Sequence, residues 1–251
     1  MSIQTVNPKS NSEKSQSIGH SRRINSIADI VKARSYLEIG VEAGNTFLNV
    51  SVANKVAVDP NFRIDQATQD NLVASGHQLF EHTSDEFFRQ WDSTNKFDLI
   101  LIDGLHTFTQ TLRDFTNSLS VSHSNTVWVI DDVLPTNYAS VAKTQMEFQR
   151  LKNVDPSIPS GWYGDTYKIL FFIESYFSNY SMKFFGGRRG QVVVFNNPNK
   201  SLTDESLSNW LGVEDICDVD FSAFQLCRNR SFPEKAEHEV IAELDALLGS
   251  K

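Results

Sequence analysis

Cysteine is scarce in this chain, with only Cys217 and Cys227 among 251 residues. The two form neither a metal-ligand spacing nor a disulfide framework, which points to free thiols in a reducing compartment. A basic surplus is missing as well. The formal net charge is -8, which disfavours a sequence-independent grip on nucleic-acid phosphate, because that grip needs clustered Lys and Arg. No apolar run approaches the roughly 20 residues that cross a bilayer. The first stretch, MSIQTVNPKSNSEKSQS, lacks the apolar segment of a secretion signal. The expectation is a cytoplasmic globular protein with neither nucleic acid nor membrane as partner; a homo-oligomer stays open.

What is present is alternation. With 40% hydrophobic and 22% charged residues, the chain can build one sizeable core. Residues 1–20 read as a polar, flexible arm. From about Ser21 to Arg34, residues Ile24, Ile27, Ile30 and Val31 recur at helical spacing. Strand patterns then occupy 36–41, 55–60, 77–83, 97–103 and 126–132. Helix patterns follow them at 44–53, about 64–75, 84–91, 107–120 and 137–152. This rhythm predicts βαβ units and a parallel sheet covered on both faces. Beyond Pro156, residues 164–177 read as a helix. Residues 182–197, broken by Gly186, Gly187 and Gly190, read as an antiparallel hairpin. The fold class is α/β, with a mostly parallel, seven-stranded sheet ending in that hairpin. An acidic tail follows from about 200, with a helix over 233–248.

Chemistry gathers where the strands end. FDLILIDGLH closes on Asp103 and His106, and TVWVIDD on Asp131 and Asp132. Ligands of open α/β sheets bind beyond the carboxyl ends of the strands. Three carboxylates there suit a hard divalent cation such as Mg²⁺, which takes oxygen ligands and keeps several waters. Two like charges side by side are costly without a cation. His106, on the loop after Asp103, suits proton removal near neutral pH.

The first strand leaves through Glu38, Gly40, Gly44 and Thr46, a glycine turn opening toward a helix N-terminus. G-x-G-x-x-G is not there, which counts against a dinucleotide and a nicotinamide-dependent dehydrogenase. Glu38 would repel a pyrophosphate and suits a ligand with a positive amine. Strand two ends on Asp59, 19 residues past Gly40 (59 − 40), about where an acid grips a ribose diol. Together these residues suggest an adenosine ligand with an amino-acid tail.

The order E-x-G-x-x-x-G, strand-end Asp, TSDEFF, IDGLH, IDD resembles that of class I S-adenosylmethionine-dependent methyltransferases. More narrowly, it is similar to the metal-dependent sugar and macrolide O-methyltransferases of antibiotic biosynthesis, over roughly residues 24–195. The resemblance implies a Rossmann-like, doubly wound methyltransferase domain over 21–199, with 200–251 as a helical extension packed on it. It places Glu38, Gly40 and Gly44, with Thr46 in the same turn, against the methionine moiety, and Asp59 on the ribose. Ser84 and Asp85 would flank the adenine, and Asp103 would touch the cofactor. It implies Asp103, Asp131 and Asp132 as Mg²⁺ ligands, at separations of 28 and 29 residues from Asp103. The implied reaction is O-methylation of a small hydroxylated acceptor, a vicinal diol on a sugar or glycosylated metabolite, with His106 as base. A catechol-like phenol and a non-catalytic nucleotide-binding module stay as alternatives.

Simpler readings accompany these residues. Ser84 and Asp85 suit the first turn of a helix, Asp103-Gly104 suits a turn, and Asp165 suits a cap for the helix at 164–177. The aromatic stretch 162–168 could line an acceptor pocket. His20, Arg22 and Arg23 read as solvated surface, and His77, His82, His123 and His238 receive no role.

Overall fold

A computed structural model describes residues 11–187, 190–200 and 212–249. Among these, the sheet holds eight strands in the order β3-β2-β1-β4-β5-β7-β6-β8. The strands are β1 (Ser35–Ile39), β2 (Asn54–Val58), β3 (Gln78–Phe80), β4 (Phe97–Ile102), β5 (Ser122–Ile130), β6 (Tyr180–Phe185), β7 (Gln191–Asn196) and β8 (Glu234–Lys235). The first five pair in parallel, and β7 runs antiparallel to both β5 and β6, which is the anticipated hairpin. The sequence predicts seven strands. The eighth, β8, has two residues and pairs in parallel with β6, too short to show any apolar period.

The central strands read as continuous apolar runs because both faces are covered. Alternate side chains of one strand go to opposite faces. Leu37, Ile39, Ile100, Ile102, Trp128 and Ile130 join one core. That core is closed by α3 (Ser84–Gln90), α4 (Phe108–Ser118), α6 (Lys168–Tyr176) and α8 (Phe221–Ser231). Tyr36, Leu99, Leu101, Val127 and Val129 join the other. There α1 (Asn11–Val31) contributes Ile24 and Ile27, and α9 (Glu237–Leu248) contributes Val240 and Leu244. The remaining helices are α2 (Gln66–Ala74), α5 (Gln145–Val154) and α7 (Val213–Asp218). No helix among the described residues is long and apolar enough to cross a membrane.

Several boundaries differ from the sequence pattern. Helix α1 begins at Asn11 and takes in residues assigned to the polar arm; residues 1–10 lie outside the described residues. The helix expected over 44–53 is a single 3-10 turn, Phe47–Asn49. The ammonium of Lys55 donates to the carbonyls of Phe47 and Val50 at 2.7 and 3.0 Å, replacing the N–H groups that a longer helix would supply. The helix expected over 137–152 divides into a 3-10 turn, Ala139–Val141, and α5, which starts where Thr144 accepts from the Glu147 N–H. In the tail, α7 and α8 precede the anticipated last helix, while 201–211 lie outside the described residues.

Candidate active site

Four strands end level with one another. Ile39 pairs with Val58 on one side and Ile102 on the other, and Ile102 pairs with Ile130. The following residues, Asp59, Gly40, Asp103 and Asp131, therefore form a row along the carboxyl edge of β2, β1, β4 and β5. Backbone bonds fix the row. Gly40 N–H donates to Val58 at 2.9 Å, Asp103 N–H to Ile39 at 2.9 Å and Asp131 N–H to Ile102 at 3.0 Å. Strand order reverses between β1 and β4, the switch point where such sheets bind ligands. A cavity of about 880 Å³ opens there, a size that suits a small-molecule site.

One side of the cavity is the glycine turn. Gly40 has φ +88°, and a Cβ added there would stand 2.0 Å from the Asp103 carbonyl oxygen. Only glycine lets β1 and β4 leave the sheet this closely. Glu38, two residues earlier, is buried and accepts from the Tyr36 hydroxyl at 2.6 Å. Burial pushes its carboxyl up to about 8, against the pull of that hydrogen bond and of Lys55. Burial likewise lowers the Lys55 ammonium. Asp59 accepts the Glu42 N–H at 2.7 Å and the Asn61 N–H at 2.8 Å, one on each carboxylate oxygen. Glu38, Gly40, Thr46, Asp59, Ser84, Asp85 and Asp103 all line this one cavity. Gly44, φ +72°, shapes the turn behind it, against Ile64 and Leu48.

Ser84 and Asp85 form the first turn of α3, but the cap is Thr83, which makes a reciprocal capping box with Glu86. That leaves Ser84 to donate to Asp114 at 2.6 Å, while Gln110 donates to both at 3.1 and 3.0 Å. Burial raises the Asp114 carboxyl to about 6. Asp85 is held by Arg113, at 3.1 and 2.5 Å. Gln110 and Asp114 also line the cavity. The sequence reading missed them, although their i,i+4 spacing on one helix face was a usable signal.

The other side is made by Asp103 and the imidazoles of His20 and His106, with Asp131 and Asp132 behind them. Among the described residues, Asp103, His106 and Asp132 bring one ligand atom each within 4.8 Å of one another. His106 Nδ1 lies 2.9 Å from Asp132 Oδ2, and its ring stacks on Trp162 at 5.3 Å. Asp131 turns elsewhere: its Oδ2 lies 3.1 Å from His20 Nδ1, and its Oδ1 accepts the Asp132 N–H at 2.8 Å. Asp132 has φ +56°, a left-handed conformation that Asp tolerates better than most residues. This bend lets two consecutive carboxylates serve two different histidines.

His20 corrects the surface reading. It sits inside α1 and is buried, because it extends the stripe of Ile24 and Ile27 by one turn. Arg22 and Arg23 both donate to Glu237 of α9 at 2.9 Å. Asp165 accepts the Phe108 N–H at the start of α4 at 2.7 Å, beside the Thr107 N-cap, whereas the cap position of α6 is Tyr167, which makes no side-chain cap bond. Just before it, Gly164 has φ +57°, and an added Cβ would stand 1.8 Å from the His106 carbonyl oxygen. Residues 162–166 thus press directly on the His106 loop.

Comparison with known proteins bears on the fold. Residues 37–133 match the family model of a methyltransferase domain. TomG, an O-methyltransferase from Streptomyces achromogenes involved in tomaymycin synthesis and solved with S-adenosylmethionine, is 14% identical. It superposes with a TM-score of 0.50, covering 77% of this chain and 92% of that one. An O-methyltransferase family protein from Burkholderia thailandensis is 11% identical with a TM-score of 0.51, covering 75% of this chain and 58% of that one. No curated protein matches the sequence. Sheet order and row of strand ends define a Rossmann-like fold of the class I methyltransferase type. Within that fold, residues 37–133 are the part that matches the methyltransferase-domain model.

Proposed function

We propose that the protein transfers a methyl group from S-adenosylmethionine to a hydroxyl oxygen of a small hydroxylated acceptor. A vicinal diol on a sugar or glycosylated metabolite is the acceptor class. The observation that carries this reading is the pair His106–Asp132, 2.9 Å apart at the wall of the cavity that the cofactor turn shares. The donor supplies a methyl carbon on a sulfonium. Glu38 and the turn at Gly40 would receive the methionine end, Asp59 the ribose hydroxyls, and Ser84 and Asp85 the adenine. Asp132 orients the His106 imidazole through Nδ1, which suits the opposite ring nitrogen, Nε2, to taking the proton of the acceptor hydroxyl. The oxygen–carbon bond forms as the carbon–sulfur bond breaks, and its electron pair stays on sulfur. The protein contributes positioning and charge.

A divalent cation fits the same wall. Mg²⁺ needs only one or two carboxylates, and Asp103 and Asp132 supply them within the 4.8 Å cluster, leaving His106 as base. Such an ion would lower the pKa of the acceptor hydroxyl. Asp131, the third acid of the expected set, is engaged with His20. A catechol-like acceptor is the second reading, favoured by the flat face of Trp162 beside His106. Two free cysteines suit a cytoplasmic enzyme.

Titration calorimetry with S-adenosylhomocysteine should show binding, and a methyl-release assay with sugars and catechols should find an acceptor whose turnover falls in EDTA. Absence of cofactor binding overturns the reading. Undiminished turnover in EDTA removes the cation alone.

A further inference from the structure

The cavity has a second imidazole that the proposed transfer does not use. His20 arrives from α1, outside the 37–133 segment, and lines the same cavity as His106. Each of the two histidines faces one of two neighbouring acids. Each turns Nδ1 to a buried carboxylate, at 3.1 Å for His20 and 2.9 Å for His106. Asp131 and Asp132 are each at most 3% exposed. Neither acid lines the cavity; both stand behind a histidine that does. An acid at Nδ1 fixes the ring orientation and presents the opposite nitrogen to whatever lies in front. Asp131 and Asp132 are consecutive, with Cα atoms about 3.8 Å apart, so one bend of the chain supplies the acid behind each imidazole.

Helix α1 is fastened so that this placement persists. Two and three residues past His20, Arg22 and Arg23 both donate to Glu237 of α9 at 2.9 Å. The Arg23 guanidinium also lies 5.0 Å over the Phe185 ring. The C-terminal helix therefore braces the helix that delivers His20.

We propose that His20 is an acceptor-binding residue: it hydrogen-bonds the oxygen adjacent to the one methylated, with Asp131 as its positioning residue. The acceptor class is then a molecule that offers two neighbouring oxygens to two imidazoles. This inference rests on the methyl-transfer reading above.

The test uses the full chain, Mg²⁺ and two matched probe pairs: catechol against phenol, and trans-1,2-cyclohexanediol against cyclohexanol. Wild type should favour the diol of at least one pair by about tenfold or more in kcat/KM, equivalent to roughly 1.4 kcal/mol. His20→Ala should reduce that preference to within about threefold, mostly through KM. His20→Gln, which keeps a hydrogen-bonding group, should restore part of it, and Asp131→Asn should weaken it. S-adenosylhomocysteine affinity should hold in every variant, which also reports an intact fold. Unchanged diol preference in His20→Ala overturns the proposal, as does a wild type that binds the cofactor product yet shows no diol preference. Failure to bind the cofactor product instead overturns the reading beneath it.

Discussion

The sheet carries acids at both ends, and the two ends treat them oppositely. At the amino edge, Asp98 of β4 accepts from the Arg34 N–H, the Ser35 N–H and the Ser35 hydroxyl at 2.8, 2.9 and 2.9 Å. Its other oxygen meets His123 Nε2 at 2.9 Å. Burial opposes ionisation there, yet these donors hold the carboxyl below its ordinary value. At the carboxyl edge, Glu38 accepts from the Tyr36 hydroxyl, and burial raises it to about 8. Both edges even contain a His–Asp pair. The difference is what surrounds the acid. An acid surrounded by backbone donors ties three strands together, whereas an acid buried beside a cavity with few donors is poised for a cationic ligand. A His–Asp pair alone is no sign of catalysis; its setting decides.

The largest effect should come from breaking the pair at the cavity. His106→Ala or Asp132→Asn should cut kcat by about 10²- to 10⁴-fold, with S-adenosylhomocysteine affinity within about threefold by calorimetry. Next comes the junction of β1 and β4. Gly40→Ala puts a methyl 2.0 Å from the Asp103 carbonyl oxygen at φ +88°. It should abolish cofactor binding and lower stability by roughly 1–3 kcal/mol in thermal unfolding.

Glu38 sharpens the contrast through protons. Its folded carboxyl keeps a proton from pH 4.5 to about 8 that the unfolded chain releases. Its contribution to stability should therefore decline as pH rises across that window. A cationic ligand stabilises the ionised form, so binding S-adenosylmethionine at pH 7 should release up to about one proton. Calorimetry in buffers of different ionisation enthalpy reads this number, and Glu38→Gln should abolish the release. The smallest effect on function belongs to the amino edge. Asp98→Asn should cost about 1–3 kcal/mol in denaturant unfolding while cofactor affinity stays unchanged. Because the Asp98 carboxyl is depressed, its stabilisation is present above the ordinary carboxylate value near 3.8 and fades below it.

Much of the carboxyl edge could be read from the chain. Apolar runs such as Leu99–Ile102 ending on Asp103 specify where a buried parallel strand stops, so the row of strand ends followed from local patterning. Pairings between distant segments did not. His20 was hidden because the polar residues before Ser21 obscured a helix whose buried stripe already included it. Asp165 looked like a cap for its own helix but serves α4, a choice made by tertiary packing at Gly164. Asp131 and Asp132 were legible as acids. Their opposite headings follow from a left-handed residue that no local pattern announces, and β8 from a pairing two residues long.

The span 37–133 has a consequence for how specificity can change. It contains every residue of the glycine turn, Asp59, the first turn of α3, and Asp103, His106, Asp131 and Asp132 of the central edge. His20, Gln145 and Trp162, which also line the cavity, come from chain before and after it. On the proposed reading, the donor side and His106 lie within one stretch of polypeptide, while His20, the proposed acceptor-binding residue, lies outside it. Grafting the flanks of one such protein onto the middle of another should exchange the molecule that is modified while the methyl supply stays the same.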